Sequence, residues 1–259
     1  MLDLTTAGPI KVLIATPSIG SVDEAYIESV DALRGAMNPD RVQTWRRTSM
    51  GSNICENQNT LVDIATEWGA DFILFCEADM GFPETGLARL LSHQKDIVGA
   101  TYQFKEHDLL ADLVSGKTRV PRYMGFELDG KPITLQSLRE GERLRKVAGV
   151  PMGFTLIRTR CLDRVRSIVA ERTDRDGQIA RQLLERPELE AVAAPSAPVF
   201  RHAISYPIGR ERGVSSTTDM TFCGDARDAG LDVWLDAELS LMMIHRGIAS
   251  FGVHPKEAA

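Results

Sequence analysis

Apolar residues in this chain come in short unbroken runs and in helical stripes, and the two kinds alternate. Lys11-Val12-Leu13-Ile14-Ala15-Thr16-Pro17, Phe72-Ile73-Leu74-Phe75-Cys76 and Asp96-Ile97-Val98-Gly99-Ala100-Thr101-Tyr102 are the clearest runs. A run of this kind bounded by turn residues predicts a strand buried on both faces, as in a parallel sheet covered by helices. Between the runs, Ala25, Ile27, Val30, Leu33 and Met37 recur at helical spacing and predict a helix opened by Asp23-Glu24. A strand is expected over 41–49. Asn53 with Glu56 three residues on is a capping-box pattern, so a second helix runs to Trp68 and stops at Gly69. Pro83 suits the first turn of a short helix reaching His93.

The second half repeats the alternation less regularly. Residues 123–128 and 133–135, around Asp129-Gly130-Lys131, predict a hairpin. Strands are expected over 143–147 and 154–158. Gly149 and Gly153 lie in the connection between them and permit either a close backbone approach or a tight bend. A helix over 161–171 gives way to a polar stretch rich in charge, Pro and Gly, with one short helical piece near 179–185. A connection this long is functional or mobile, so a mobile lid is expected over 172–216. Thr217-Thr218-Asp219 then caps a helix through Ala229, with Asp219 itself a candidate cap, and Gly230 ends it. Strands over 233–235 and 239–244 close the chain, with His245 directly after the second. The expected fold class is α/β, a single domain over 1–259 with a mixed, mostly parallel central sheet flanked by helices.

Composition narrows the field. With 43% hydrophobic and 25% charged residues the chain can build a globular core. Its formal net charge of -6 gives no domain-wide basic footprint for nucleic acid. The first residues, Met1-Leu2-Asp3-Leu4-Thr5-Thr6, have no basic region followed by an apolar one, and no apolar run reaches bilayer length. No membrane span and a cytoplasmic location are therefore expected. Cys55, Cys76, Cys161 and Cys223 are scattered and form no CxxC pair, consistent with reduced thiols.

The candidate chemistry sits at the end of the run 72–76. Glu77 and Asp79 follow it directly, at the carboxyl end of a strand where open α/β sheets bind ligands. In extended chain, residues two apart point the same way. Two like charges facing one point want a cation, although acids after a strand also simply solvate a loop. Asn57 and Asn59 lie near a helix start, where free N–H groups can meet an anion; a solvated helix face is the competing reading.

Taken in order, these pieces resemble the GT-A glycosyltransferases, particularly the small family-2-like enzymes, over about residues 10–247. Thr16-Pro17 matches the loop under the nucleotide. Gln58-Asn59 stands where the family has Arg-Asn, and Glu77-Ala78-Asp79 stands for the DxD motif with Glu in place of the first Asp. The stretch 96–102 with Lys105 matches the next strand. Residues 149–157 resemble the glycine-containing acceptor-side segment, and Thr218-Asp219-Met220-Thr221-Phe222-Cys223 resembles a Glu-Asp-x-x-Phe-Cys helix start. Residues 232–236 and His245 resemble the last strands and the metal-binding histidine. The resemblance implies a metal-dependent, inverting transfer of sugar from a nucleoside-diphosphate sugar, UDP- or GDP-linked, to an acceptor hydroxyl. The acceptor can be glycan, lipid, protein or modified nucleic acid. It implies Asp219 as catalytic base, with Thr16, Pro17, Asn59, Glu77, Ala78, Asp79 and Lys105 around the donor. Glu77, Asp79 and His245 would be the metal ligands. Two acids with an imidazole suit Mn²⁺ better than Ca²⁺, and Mn²⁺ is expected ahead of Mg²⁺. A sugar-nucleotide nucleotidyltransferase and a non-catalytic nucleotide-sugar-binding module are the alternatives. The first would favour a Gly-rich basic loop after the first strand, which Ser18-Ile19-Gly20 does not supply.

Overall fold

The structure is a computed structural model that describes residues 8–105, 122–183, 198–205 and 214–246, without side chains for 173–183, 203–205 and 214–216. Its centre is a seven-stranded sheet in the order β2-β1-β3-β7-β5-β10-β6. These strands are β1 (Ile10–Ser18), β2 (Val42–Met50), β3 (Phe72–Cys76), β5 (Ile97–Gly99), β6 (Leu144–Val147), β7 (Phe154–Arg158) and β10 (Val233–Asp236). β1 pairs parallel with β2 and β3, and β10 pairs parallel with β5. β7 is inserted antiparallel between β3 and β5, and β6 is an antiparallel edge. Five of the seven strands thus point one way. The sheet is the mixed, mostly parallel one expected, flanked by helices in a Rossmann-like arrangement.

The unbroken apolar runs follow from burial on both faces. Val12 and Ile14 of β1 and Phe72, Leu74 and Cys76 of β3 pack on one side with Tyr26, Val30 and Leu33 of α1 (Glu24–Gly35). Their alternates Leu13, Ala15, Ile73 and Phe75 pack on the other with Leu61, Val62 and Ala65 of α2 (Ile54–Trp68). Successive side chains on a strand point to opposite faces, so a strand covered twice is apolar along both faces, with the buried Thr16 and Ser18 held to the end of β1. α3 (Gly86–Ser92) joins the α1 side through Leu87 and Leu90. α2 is capped as its sequence predicts: the Asn53 side chain accepts from the N–H groups of Cys55 and Glu56, and Gly69 ends the helix at φ 69°.

Four expectations are corrected. The stretch 123–135 is not a regular hairpin: it is tied by isolated bridges, Phe126 pairing with both Pro132 and Gly149. Residues 135–140 form a helix instead, α4 (Leu135–Glu140), whose Thr134–Ser137 capping box was passed over because Ser replaces the usual Glu. The helix expected over 161–171 runs on as α5 (Leu162–Leu183), absorbing most of the separate piece near 179–185. The strand expected over 239–244 is the short helix α7 (Ala237–Ser240) followed by β11 (Ile244–His245). Asp236 caps α7 by accepting the Leu239 N–H, so the apolar run there lines a helical turn and not a ladder.

Much of the expected 172–216 lid, namely 184–197 and 206–213, lies outside the described residues. Its described parts include core and strand-paired residues. Val199 and Phe200 are core residues, with the Phe200 ring between those of Phe75 and Phe222. β8 (Ala203–Ser205) and β9 (Val214–Ser216) pair antiparallel.

Candidate active site

The segment that carries the two acids is held by backbone bonds to three others. The Glu77 N–H donates to the Gly153 carbonyl at 3.2 Å, the Ala78 carbonyl accepts from Asp23 at 2.8 Å, and the Asp79 carbonyl accepts from Arg246 at 2.8 Å. β4 (Met80–Gly81) pairs antiparallel with β11, setting His245 opposite Met80. A residue 166 positions downstream is thereby brought beside the strand end. One carboxylate oxygen each from Glu77 and Asp79 and a ring nitrogen of His245 all lie within 4.8 Å of one another.

Each group in this cluster is poised by its neighbours. His245 Nδ1 lies 2.9 Å from the Gln103 carbonyl. A carbonyl only accepts, so Nδ1 carries the proton. Burial, opposed by that hydrogen bond and the Asp79 charge, lowers the imidazole pKa and favours the neutral ring. Nε2 is then a bare lone pair, 3.7 Å from Asp79 Oδ1. Asp79 Oδ1 is itself buried without a hydrogen-bond partner among the described residues, while Oδ2 pairs with Lys105. These two lone pairs are atoms that could hold a cation. Glu77 accepts from the Tyr102 hydroxyl at 2.8 Å, and burial, with the charge of Asp219 next, pushes its pKa up to about 8. Hard carboxylate oxygens with one imidazole nitrogen fit a divalent ion of the Mn²⁺ type.

Tyr102 reaches Glu77 because residue 153 is glycine. A Cβ there would stand 2.5 Å from the Tyr102 hydroxyl oxygen. Gly149 likewise lies where a Cβ would meet Met220 Sδ at 3.0 Å and Cys223 Cβ at 3.2 Å. Neither glycine has a positive φ. Both are small to admit a neighbouring side chain, which is the close-approach reading with protein in place of ligand.

Asp219 lies in α6 (Thr218–Asp228), but Thr217 and not Asp219 caps that helix, accepting from Met220 N. The carboxylate of Asp219 turns inward, 7% exposed. Oδ2 accepts from Met152 N at 3.1 Å, and Oδ1 accepts from Gln58 Nε2 and the Thr218 hydroxyl, both at 3.2 Å. Burial raises its pKa, against the pull of these three donors. An acid held by neutral donors and raised by burial is suited to accept a proton.

The other expected donor residues are spread more widely. Thr16 and Pro17 are buried at the end of β1, and the Thr16 hydroxyl bonds Tyr26. Ala78 contributes its carbonyl as described. Asn59 is not brought to the acids: it bonds the carbonyls of Cys55 and Phe200 and the N–H groups of Val199 and Phe200. All four of its hydrogen-bonding positions are taken, so it fastens the segment 198–200 to α2. Asn57 is similarly engaged by the carbonyls of Ser18 and Gly51.

No family model matches the chain, and no curated protein matches it in sequence. Among solved structures, one titled "Crystal Structure of A197 from STIV" matches with a TM-score of 0.45 and 14% identity, covering 94% of each chain. A likeness that loose carries no argument, and the site rests on its own geometry.

Sequence reasoning passed over Tyr102 and gave Gln58 no role beyond marking a missing Arg. A signal existed for Tyr102: a tyrosine closing a buried run must find a partner for its hydroxyl. For Gln58 there was none, since its contact with Asp219 spans 161 positions.

Proposed function

We propose that this protein transfers a sugar from a nucleoside-diphosphate sugar to an acceptor hydroxyl, with inversion at the anomeric carbon. The observation that carries the proposal is the convergence of Glu77, Asp79 and His245 at the carboxyl end of β3, with a buried Asp219 close enough to raise the pKa of Glu77. In the reaction the acceptor oxygen bonds to the anomeric carbon as the bond from that carbon to the diphosphate oxygen breaks. The electron pair leaves with the diphosphate, and the hydroxyl proton passes to Asp219. Asp79 Oδ1, His245 Nε2 and a Glu77 oxygen would hold a divalent ion, which when bound neutralises charge on the leaving diphosphate. Lys105, beside Asp79, reinforces positive charge at the same place. Tyr102 orients Glu77.

The Lys105–Asp79 ion pair also favours a second reading, in which the lysine alone supplies the positive charge and no ion is needed.

The test is a melting screen of nucleotide sugars with Mn²⁺ and with a chelator. A cognate donor at about 100 times its dissociation constant adds roughly 2.7 kcal/mol, a rise on the order of 5–10 °C. The proposal expects that rise only with Mn²⁺, and the lysine reading expects it in both arms. No shift from any nucleotide sugar in either arm sinks both.

A further inference from the structure

A concavity is lined in part by the chain neighbours of the site residues. It is a cleft of about 580 Å³ lined by Phe104, Tyr123, Met124, Phe126, Ile133 and Met220, with Arg122, Thr134 and Thr217 among its remaining walls. Resting on the transfer reading above, we propose that this cleft takes the acceptor, and that the acceptor is an amphiphile whose reacting hydroxyl is carried close to an alkyl or aryl group.

Three observations support this. The wall is apolar because its backbone is satisfied internally: Met124 N–H bonds the Tyr102 carbonyl, Phe126 N–H the Gly149 carbonyl, Ile133 N–H the Gly125 carbonyl, and Phe104 N–H the Arg122 carbonyl. What remains to face the cleft is mainly rings, methionines and an isoleucine, and the cleft is of ligand size. Its shape is fixed at Gly125, which sits at φ 107° with the Gly149 carbonyl oxygen 2.6 Å from where a Cβ would stand. A side chain at 125 would disrupt the wall.

Second, Phe104 and Phe126 are 45% and 41% exposed. Large rings left open around a ligand-sized cavity are what an apolar ligand would cover. Third, the lining is tied to the reacting groups through the chain at two points. Phe104 stands between Gln103, whose carbonyl holds His245, and Lys105, which pairs with Asp79. Met220 follows Asp219, and Thr217 caps the same helix. A molecule seated here has its apolar part against the rings and its polar end toward the first turn of α6. Met124 and Met220 are unbranched and adapt to alkyl and aryl shapes alike.

The experiment uses the full chain labelled with ¹³C at the methionine methyls. It is titrated with octyl β-glucoside below its micelle concentration, with phenyl β-glucoside, and with methyl β-glucoside. The Met124 and Met220 methyls are expected to shift saturably with the octyl or phenyl probe, the stronger of the two naming the apolar group, and not with the methyl probe. Phe126→Ser is expected to weaken the stronger probe about tenfold or more, from the apolar area it loses, while other methionine methyls outside the cleft keep their positions. Silence of both methyls with both apolar probes, or equal shifts with methyl β-glucoside, overturns the proposal. The donor melting screen reads the other site. Silent methyls beside a responsive donor screen overturn the cleft assignment alone. A silent donor screen beside shifting methyls overturns the transfer reading and the acceptor role together.

Discussion

Strand β3 is followed directly by a carboxylate, Glu77, and β10 ends in one, Asp236, and the two ends are treated differently. At β10, Asp236 is fully buried and surrounded by positive or donating groups: Arg89 bonds both of its oxygens, His93 Nε2 lies at 2.7 Å, and the Leu239 N–H at 2.9 Å. Asp225 in α6 is handled alike, with Arg201 donating at 2.8 and 2.9 Å and Arg172 adding a second guanidinium. At β3, Glu77, Asp79 and the neighbouring Asp219 have one cation partner among the described residues, Lys105, besides His245. Donors to Asp219 are all neutral. Buried acids in a stable fold are paired. A fold that pairs Asp225 and Asp236 so fully and the β3 cluster so sparsely is what the cation proposed at β3 would require.

The largest effect is expected from Asp219→Asn, which tests whether the under-paired acids act in chemistry. The substitution suits the site. Gln58 Oε1 is buried without a partner, so a flipped Gln58 amide can accept from the new Asn amide while the Met152 N–H still donates to the Asn oxygen. Folding and donor binding are expected to survive, and turnover to fall by about 10²–10⁴-fold with the loss of the base. Turnover within a few-fold of wild type would reduce Asp219 to a structural acid like Asp225.

Next in size is a stability contrast between the two strand ends. Asp236→Ala leaves Arg89 with only the partly exposed Glu238 and removes the cap of α7. The expected loss is about 3 kcal/mol or more, a fall in melting temperature on the order of 10 °C. Asp79→Asn breaks a pair whose side chains are 25% and 40% exposed, so the ligand-free protein is expected to change by less than about 1 kcal/mol. It should at the same time abolish any Mn²⁺-dependent melting shift. Comparable melting losses in both variants would remove the distinction between the two ends.

The sequence made the sheet legible and the contrast between its ends invisible. The runs 11–17 and 72–76 stood out because strands covered on both faces are apolar along most of their length, and the Asn53 and Gly69 caps stood out because they act within a few residues. The helix at 237–240 was misread because its Leu239 and Ser240 open the mostly apolar run 239–244, and only the Asp236 cap betrays its period. Pairing was out of reach for a different reason. Arg89 lies 147 positions from Asp236, and Arg201 lies 24 from Asp225 across a strand pair. Nothing local marks Asp236 as neutralised and Asp79 as open, because both closely follow an apolar run and their charged partners lie far off in sequence. The convergence of His245 on Glu77 and Asp79 was reached only through resemblance, since the β4–β11 ladder that produces it has two residues per strand.

The smallest effect expected is on the acid limb of stability, and it sharpens the contrast at Asp236. Burial alone would raise this carboxyl's pKa, but the bonds from Arg89, the Leu239 N–H and His93 outweigh it, and the net direction is down. In the unfolded chain an Asp titrates near 3.9. With the folded value lower, the unfolded state binds the proton first as pH falls. The stability contributed by ionised Asp236 is therefore complete above about pH 4 to 5 and is lost as pH drops through the folded value. Asp236→Asn cannot ionise and has no such limb. Denaturant unfolding of wild type and Asp236→Asn between pH 6 and pH 3 is expected to show a stability difference that is steady near pH 6 and narrows toward pH 3. A difference that stays constant over that range would mean the interactions of Asp236 do not depend on its charge, and the strand end at β10 would then be held by hydrogen bonding and capping alone.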